Sequence, residues 1–310
     1  MKFKAYRYVF YYLLRCGMFV INLFPRKVVL YLARLIGRTL FGLLKRERTK
    51  VVNNLSSAYK DQLGSQEIEA LARDVFINFA LTLADLLLLW KMSIANVKQL
   101  VELSPEDEAR IQKILSHPGG IVFSASHLGN WELLSAYMAI RFDHSRKTQV
   151  IGKRLYFEPY NKLIVRLRER FYTATVYRDT SFKTIVKTLK DGGAIGILPD
   201  QDIDSIPGIF VDFFGRPAYT TDAPARLACL SKAVIVPFYM IRHGDKYRMM
   251  IDDFIYFDQS KNRNKDEEIR DITQKISWSV EKFVKRYPAQ WGWTHNRWKT
   301  QPAVMKEAHV

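Results

Sequence analysis

Gly120-Ile121-Val122-Phe123-Ser124-Ala125-Ser126-His127-Leu128-Gly129-Asn130-Trp131-Glu132 changes its periodicity partway along. The run from Gly120 to Ala125 reads as a short buried strand, and from Trp131 to Ile140 apolar side chains recur at helical spacing. The stretch therefore predicts strand, turn and helix, with His127 at the carboxyl end of the strand. Gly129 permits a tight turn, Asn130 has the side chain of an N-cap, and Glu132 falls in the first helical turn, where the helix dipole favours a carboxylate. From there Glu132 is expected to reach back to one ring nitrogen of His127 and hold its tautomer. The other nitrogen is then free to take a proton from an acceptor hydroxyl. A histidine and a glutamate at this spacing also occur by chance, so the pair needs support from the rest of the chain.

Outward from this segment, strands alternate with helices. Strand Thr148 to Gly152 precedes helix Pro159 to Phe171, strand Thr173 to Tyr177 precedes helix Phe182 to Lys190, and strand Ala194 to Leu198 leads into a loop containing Asp200. Helix Asp222 to Leu230, a strand from Val234, a hairpin turn at His243 to Lys246, and a last helix Ile269 to Tyr287 follow. Upstream, Glu67 to Leu100 reads as one helical region. Such alternation implies an α/β fold whose largely parallel sheet is covered by helices on both faces. Ligands gather at the carboxyl ends of strands in such sheets, and both His127 and Asp200 fall there. Asp200 and Asp202 are open to three readings: contacts to a substrate, turn residues, or two ligands of a metal that lacks a clustered third.

The amino terminus is apolar and aromatic from Phe3 to Phe24, flanked by Lys2, Lys4 and Arg7 and interrupted by Arg15 and Asn22. A second amphipathic run, Val28 to Leu44, ends in the basic cluster Lys45 to Lys50. Interleaved aromatic and basic residues predict helices associated with a membrane surface, on the cytoplasmic side where basic flanks are favoured. The alternative is a pair of ordinary helices docked on the domain. The expected organisation is thus amino-terminal membrane-associated helices at 1–44, an α/β domain at 45–302, and a carboxyl-terminal tail at 303–310. Lysine and arginine number 48 against 31 acidic residues, a net charge of +17 that calls for an anionic partner. Cys16 and Cys229 stand far apart and support neither a disulfide framework nor a cysteine metal site.

Five stretches in order resemble the late acyltransferases of lipid A biosynthesis, the lauroyl and myristoyl transferase family, which is lysophospholipid acyltransferase-like and marked by a His-x4-Asp/Glu motif. They are Arg48 to Leu55; His127 to Glu132; Arg168 ahead of Tyr177-Arg178-Asp179; Leu198 to Asp202 with Phe210 to Pro217; and Pro288 to Pro302 with Trp293, His295, Arg297 and Lys299. The resemblance implies an acyltransferase at a bacterial inner membrane. It would move a fatty acyl group from acyl carrier protein to a hydroxyl of a lipid A precursor, without cofactor or metal. On the same basis His127 and Glu132 are the catalytic residues, and Asn130, Arg168 and Asp200 contact substrate. The family's glycine before its arginine is Leu167 here, which leaves Arg166 and Arg170 as competitors of Arg168. Phe210 to Pro217 reads as an aromatic loop on which Phe213 and Phe214 are expected near acyl chain, and the cluster Trp291, Trp293, His295, Arg297 and Trp298 suits a headgroup. The runner-up is transfer to another lipid, such as an ornithine lipid or glycolipid, from acyl-CoA. A nucleic-acid-binding protein would also use the positive charge, but the charge is dispersed and no nucleic-acid motif accompanies it. Ser126 adjoins His127 without a nucleophile elbow around it, so direct transfer is favoured over an acyl-enzyme.

Overall fold

The computed structural model describes residues 5–60, 62–257 and 264–302. The tail expected at 303–310, and Lys2, Phe3 and Lys4, lie outside the described residues. The chain opens with helices α1 (Ala5–Ile21), α2 (Arg26–Leu43), α3 (Lys45–Ala58) and α4 (Ser65–Leu88), then α5 (Ile94–Leu100), strand β1 (Val101–Glu102) and α6 (Pro105–Leu115). The alternating core comprises β2 (Ile121–Ser124), α7 (Trp131–Phe142), β3 (Thr148–Gly152), α8 (Glu158–Glu169), β4 (Thr173–Tyr177), α9 (Phe182–Lys190) and β5 (Ala194–Ile197). A ribbon of β6 (Ile209–Phe213) and β7 (Arg216–Thr220) follows, then α10 (Ala223–Ser231), β8 (Val234–His243), β9 (Lys246–Ile251), α11 (Lys265–Arg286) and a 3-10 turn at Pro288–Gln290.

Strands assemble in the order β1-β9-β8-β2-β5-β3-β4. Neighbours run parallel except β8 and β9, which form an antiparallel hairpin. The result is a mixed, mostly parallel sheet flanked by helices. All four residues of β2 are buried, as a central parallel strand with an apolar run requires. In register, Ser124 pairs with Ile197 of β5 and Pro237 of β8. The loops leaving β2 and β5 therefore emerge side by side, which is what brings His127 and Asp200 together.

Two elements differ from their expected form. The helical region 67–100 breaks at residues 89–93, because the Ser93 hydroxyl accepts from the Asn96 amide while the Asn96 side chain accepts from the Ser93 amide, a capping box that starts a new helix. The aromatic segment Phe210 to Pro217 is a two-stranded hairpin that turns at Phe214-Gly215 rather than a loop. It buries Val211, Phe213, Ala218 and Thr220. The Asp212 carbonyl accepts from Ser277 and Gln274 of α11, which fixes the hairpin on that helix.

The amino-terminal expectation requires correction. Among the described residues no helix is long and apolar enough to cross a membrane. α1 has 17 residues, about 25 Å of helix against a hydrocarbon core of about 30 Å, and α2 carries Arg26, Lys27, Arg34 and Arg38. Instead α2 lies on α4 and places Val29, Leu30 and Ala33 in the apolar cluster that contains Leu81, Ala84 and Leu88. Gly37 lets the helices approach so closely that a Cβ there would sit 2.6 Å from the Ile77 Cα. The Arg26 guanidinium clasps Asp85 at 2.7 and 2.9 Å. Tyr8 and Tyr11 of α1 meet the Phe157 ring edge-on, while Phe10 and Phe19 are exposed. The expected membrane-associated region at 1–44, and the inner-membrane placement built on it, are corrected accordingly: none of the described helices is long and apolar enough to span a membrane, and α1 and α2 pack on α4 and, through Tyr8 and Tyr11, on Phe157.

Candidate active site

Between β2 and α7 the chain makes the turn that the sequence predicts. Gly129 sits at φ +67°, and a Cβ would lie 1.9 Å from the Met240 carbonyl oxygen, so only glycine fits. The Asn130 amide donates to that same carbonyl, and the Gly129 amide to the Gln290 carbonyl, each at 2.9 Å. Asn130 caps α7 by accepting from the Leu133 amide at 3.0 Å, and its Nδ2 donates to the Tyr247 hydroxyl at 3.3 Å. Its carboxamide is thus engaged internally. The structure places Asn130 as the cap of α7, outside the lining of the two cavities described below.

His127 is held by Asp200, not by Glu132. The ring Nδ1 lies 2.9 Å from Asp200 Oδ1, and the His127 amide donates to Asp200 Oδ2 at 2.7 Å. Trp291 Nε1 donates to the same oxygen at 2.8 Å. Because a carboxylate only accepts, the proton of the neutral ring sits on Nδ1 and Nε2 keeps its lone pair. Asp200 is buried, which alone would raise its carboxyl. The His127 ring and amide and the Trp291 indole outweigh this and hold it below the usual carboxylate range.

Glu132 faces Arg168 in a bidentate pair, with Nε to Oε2 at 2.9 Å and Nη2 to Oε1 at 2.6 Å. Burial opposes the charge of Arg168, but Glu132 more than compensates and raises it. Of the three arginines of this region, Arg170 donates to the carbonyls of Trp90 and Met92, and Arg166 is exposed. Arg168 pairs with Glu132 and lines the larger cavity.

Two cavities meet at His127. The larger, about 480 Å³, has apolar walls that include Ile151, Ile185, Ile197 and Leu227. Lys153, Arg168, Arg178 and Arg226 lie around it. The smaller, about 180 Å³, lies between α4, at Val75, Asn78, Phe79 and Thr82, and the segment from Ala289 to Thr294. His127, Trp131 and Gln201 line both cavities.

The profile of the bacterial lipid A biosynthesis acyltransferases matches residues 1–300. The chain belongs to this family. The lipid A biosynthesis palmitoleoyltransferase of Escherichia coli (strain K12) is 24% identical over 294 residues, covering 92% of this chain and 90% of that protein. The lipid A biosynthesis lauroyltransferase of the same organism is 31% identical over 123 residues, 39% of this chain and 38% of that protein. A phosphatidylinositol mannoside acyltransferase from Mycolicibacterium smegmatis is 24% identical over 183 residues, 58% and 57% of the two chains. Acyltransferase activity in general comes with membership of the lipid A acyltransferase family.

In this acyltransferase the carboxyl-terminal cluster turns inward. Trp291, Trp293, Arg297 and Trp298 are buried and His295 is partly buried, while Trp291 and Trp293 also line the smaller cavity. Trp293 Nε1 donates to the Pro288 carbonyl, and Arg297 donates to the Tyr219 carbonyl and the Thr220 hydroxyl. Burial lowers the Arg297 guanidinium to about 10, against the pull of Asp200 and Asp202. Asn54 Nδ2 donates to the carbonyls of Trp293 and His295, which ties α3 to this segment. Phe213 is buried against Trp291 and Trp298. Asp202 accepts from Thr300 through both oxygens, so the two aspartates serve different partners. Sequence reasoning missed the contacts of Asp200 with the His127 ring and the Trp291 indole, and the approach of Gln201 to that ring. The Leu-Pro-Asp-Gln-Asp run after a buried strand was the available signal, since it places a carboxylate on the loop beside His127.

Proposed function

We propose that this protein transfers a fatty acyl group from a thioester on acyl carrier protein to a hydroxyl of a lipid A precursor. The observation that carries the reading is His127: its Nδ1 is fixed by buried Asp200, and its side chain stands where an apolar cavity meets a second one. One cavity per substrate suits direct transfer. His127 Nε2 takes the hydroxyl proton as the oxygen attacks the thioester carbonyl carbon. Collapse of the tetrahedral intermediate breaks the carbon–sulfur bond, and the proton passes from His127 to the departing thiolate. Asp200 orients the ring and stabilises its protonated form, as the buried carboxylate does in a Ser-His-Asp triad. Glu132 holds Arg168 at the wall of the larger cavity, where its positive charge suits a phosphate. Ser126 is 1% exposed and lines neither cavity, which supports transfer without an acyl-serine. The charge of +17 suits the acidic surface of acyl carrier protein.

A glycolipid acceptor is the second reading, favoured by the mycobacterial relative. Mass spectrometry of lipid A from cells with and without this protein separates the two. The proposal expects loss of one acyl chain from lipid A when the protein is removed. Unchanged lipid A beside an under-acylated glycolipid would transfer the assignment to the second reading.

A further inference from the structure

Gln201 sits at the centre of the site and has no part in the mechanism above. Its Nε2 lies 3.3 Å from His127 Nε2, the nitrogen that receives the proton. With the His127 proton on Nδ1, the carboxamide N–H is the donor and the ring nitrogen the acceptor. Any hydroxyl that delivers a proton to Nε2 must enter this contact, which brings the amide donor beside the reacting oxygens. Gln201 also faces both cavities.

The backbone on either side is pinned. Asp200 is fixed by the His127 ring and amide and by the Trp291 indole. Asp202 is fixed by Thr300, and its amide donates to His295 Nε2 at 2.8 Å. Both aspartates are more than nine-tenths buried. A neutral donor on a backbone held at both flanks is preorganised, and it spends little free energy on reorientation as charge develops. Arg168, which also lines the larger cavity, already has its guanidinium engaged by Glu132.

We propose that Gln201 is a catalytic residue whose carboxamide N–H donates to the acyl carbonyl oxygen as that oxygen becomes negative. This rests on the acyl-transfer reading. In the resting site the amide holds Nε2. The acceptor hydroxyl displaces it, loses its proton to Nε2 and bonds to the carbonyl carbon, and the electron pair moves onto the carbonyl oxygen, where Gln201 donates. Return of that pair expels the thiolate, which takes the proton from His127.

The test compares purified wild type, Gln201→Met and Gln201→Glu with an acyl carrier protein thioester and a lipid A precursor. The first substitution keeps length and removes the donor; the second keeps shape and leaves only acceptors. Both should lower kcat on the order of 10²- to 10³-fold, with KM for either substrate changed less than about threefold. In Gln201→Met the pH–rate profile should keep its shape and the melting temperature its value, which a merely structural role would not preserve; in Gln201→Glu the carboxylate beside His127 Nε2 should move the limb set by the His127 base to higher pH. A wild type that transfers while both variants match its kcat, or change only KM, would overturn the role of Gln201 alone. A folded wild type that cleaves no thioester would overturn the acyl-transfer reading and this proposal together.

Discussion

An Asp200→Asn substitution keeps the shape of the group beneath His127 and removes the charge that fixes its tautomer. The carboxamide can turn its own N–H toward Nδ1, which moves the ring proton to Nε2 and leaves no base. We expect kcat to fall about 10²- to 10⁴-fold. The same substitution has a stability signature. The folded carboxyl lies below its ordinary value of 3.8, so its contribution is present above that pH and is lost as pH falls through the lower native value. Acid unfolding followed by circular dichroism should therefore show a shallower loss of stability below about pH 3.8 in Asp200→Asn than in wild type. A variant with wild-type kcat would remove Asp200 from the mechanism. Glu132, five residues from His127, is the partner that the sequence suggests, because sequence displays only separation along the chain. Asp200 is 73 positions away and reaches the ring through the register of β2 with β5.

Among the elements, those with a local signal were legible. β3, β4 and α9 occupy their expected ranges, and α7 begins after its Asn130 cap. The β6–β7 hairpin was not, because its alternation is short and its turn uses Phe214 at positive φ. The docking of α2 was not, because it depends on a polar cluster assembled from five elements. Asp85 of α4 accepts from Arg26 before α2's first turn is complete, from Arg242 of β8 and from Tyr247 of β9, and Tyr247 in turn receives Asn130 at the start of α7. Burial alone would raise the Asp85 carboxyl; Arg26, Arg242 and Tyr247 hold it below its usual range. Asp85→Ala leaves two largely buried guanidiniums without a counter-charge and should destabilise the protein by about 3–5 kcal/mol. Urea denaturation measures this directly. A loss under about 1 kcal/mol would show that water solvates these cations and that the cluster does not hold α2 in place.

Over the whole molecule, the carboxyl ends of the central strands gather the chemistry. The parallel pairing of β2 with β5 delivers His127 and Asp200 together, the carboxyl-terminal segment supplies Trp291 from below, and two cavities open on the same ring. Belonging to the lipid A acyltransferase family supplies acyl transfer in general; the arrangement around His127 supplies the proposed route. The most direct measurement is mass spectrometry of a lipid A precursor incubated with purified protein and an acyl carrier protein thioester. The account predicts a product carrying one additional ester-linked acyl chain with wild type, and rates lower by about 10²- to 10⁴-fold with folded His127→Ala. A precursor left unacylated by wild type, or acylated equally fast by His127→Ala, would contradict it.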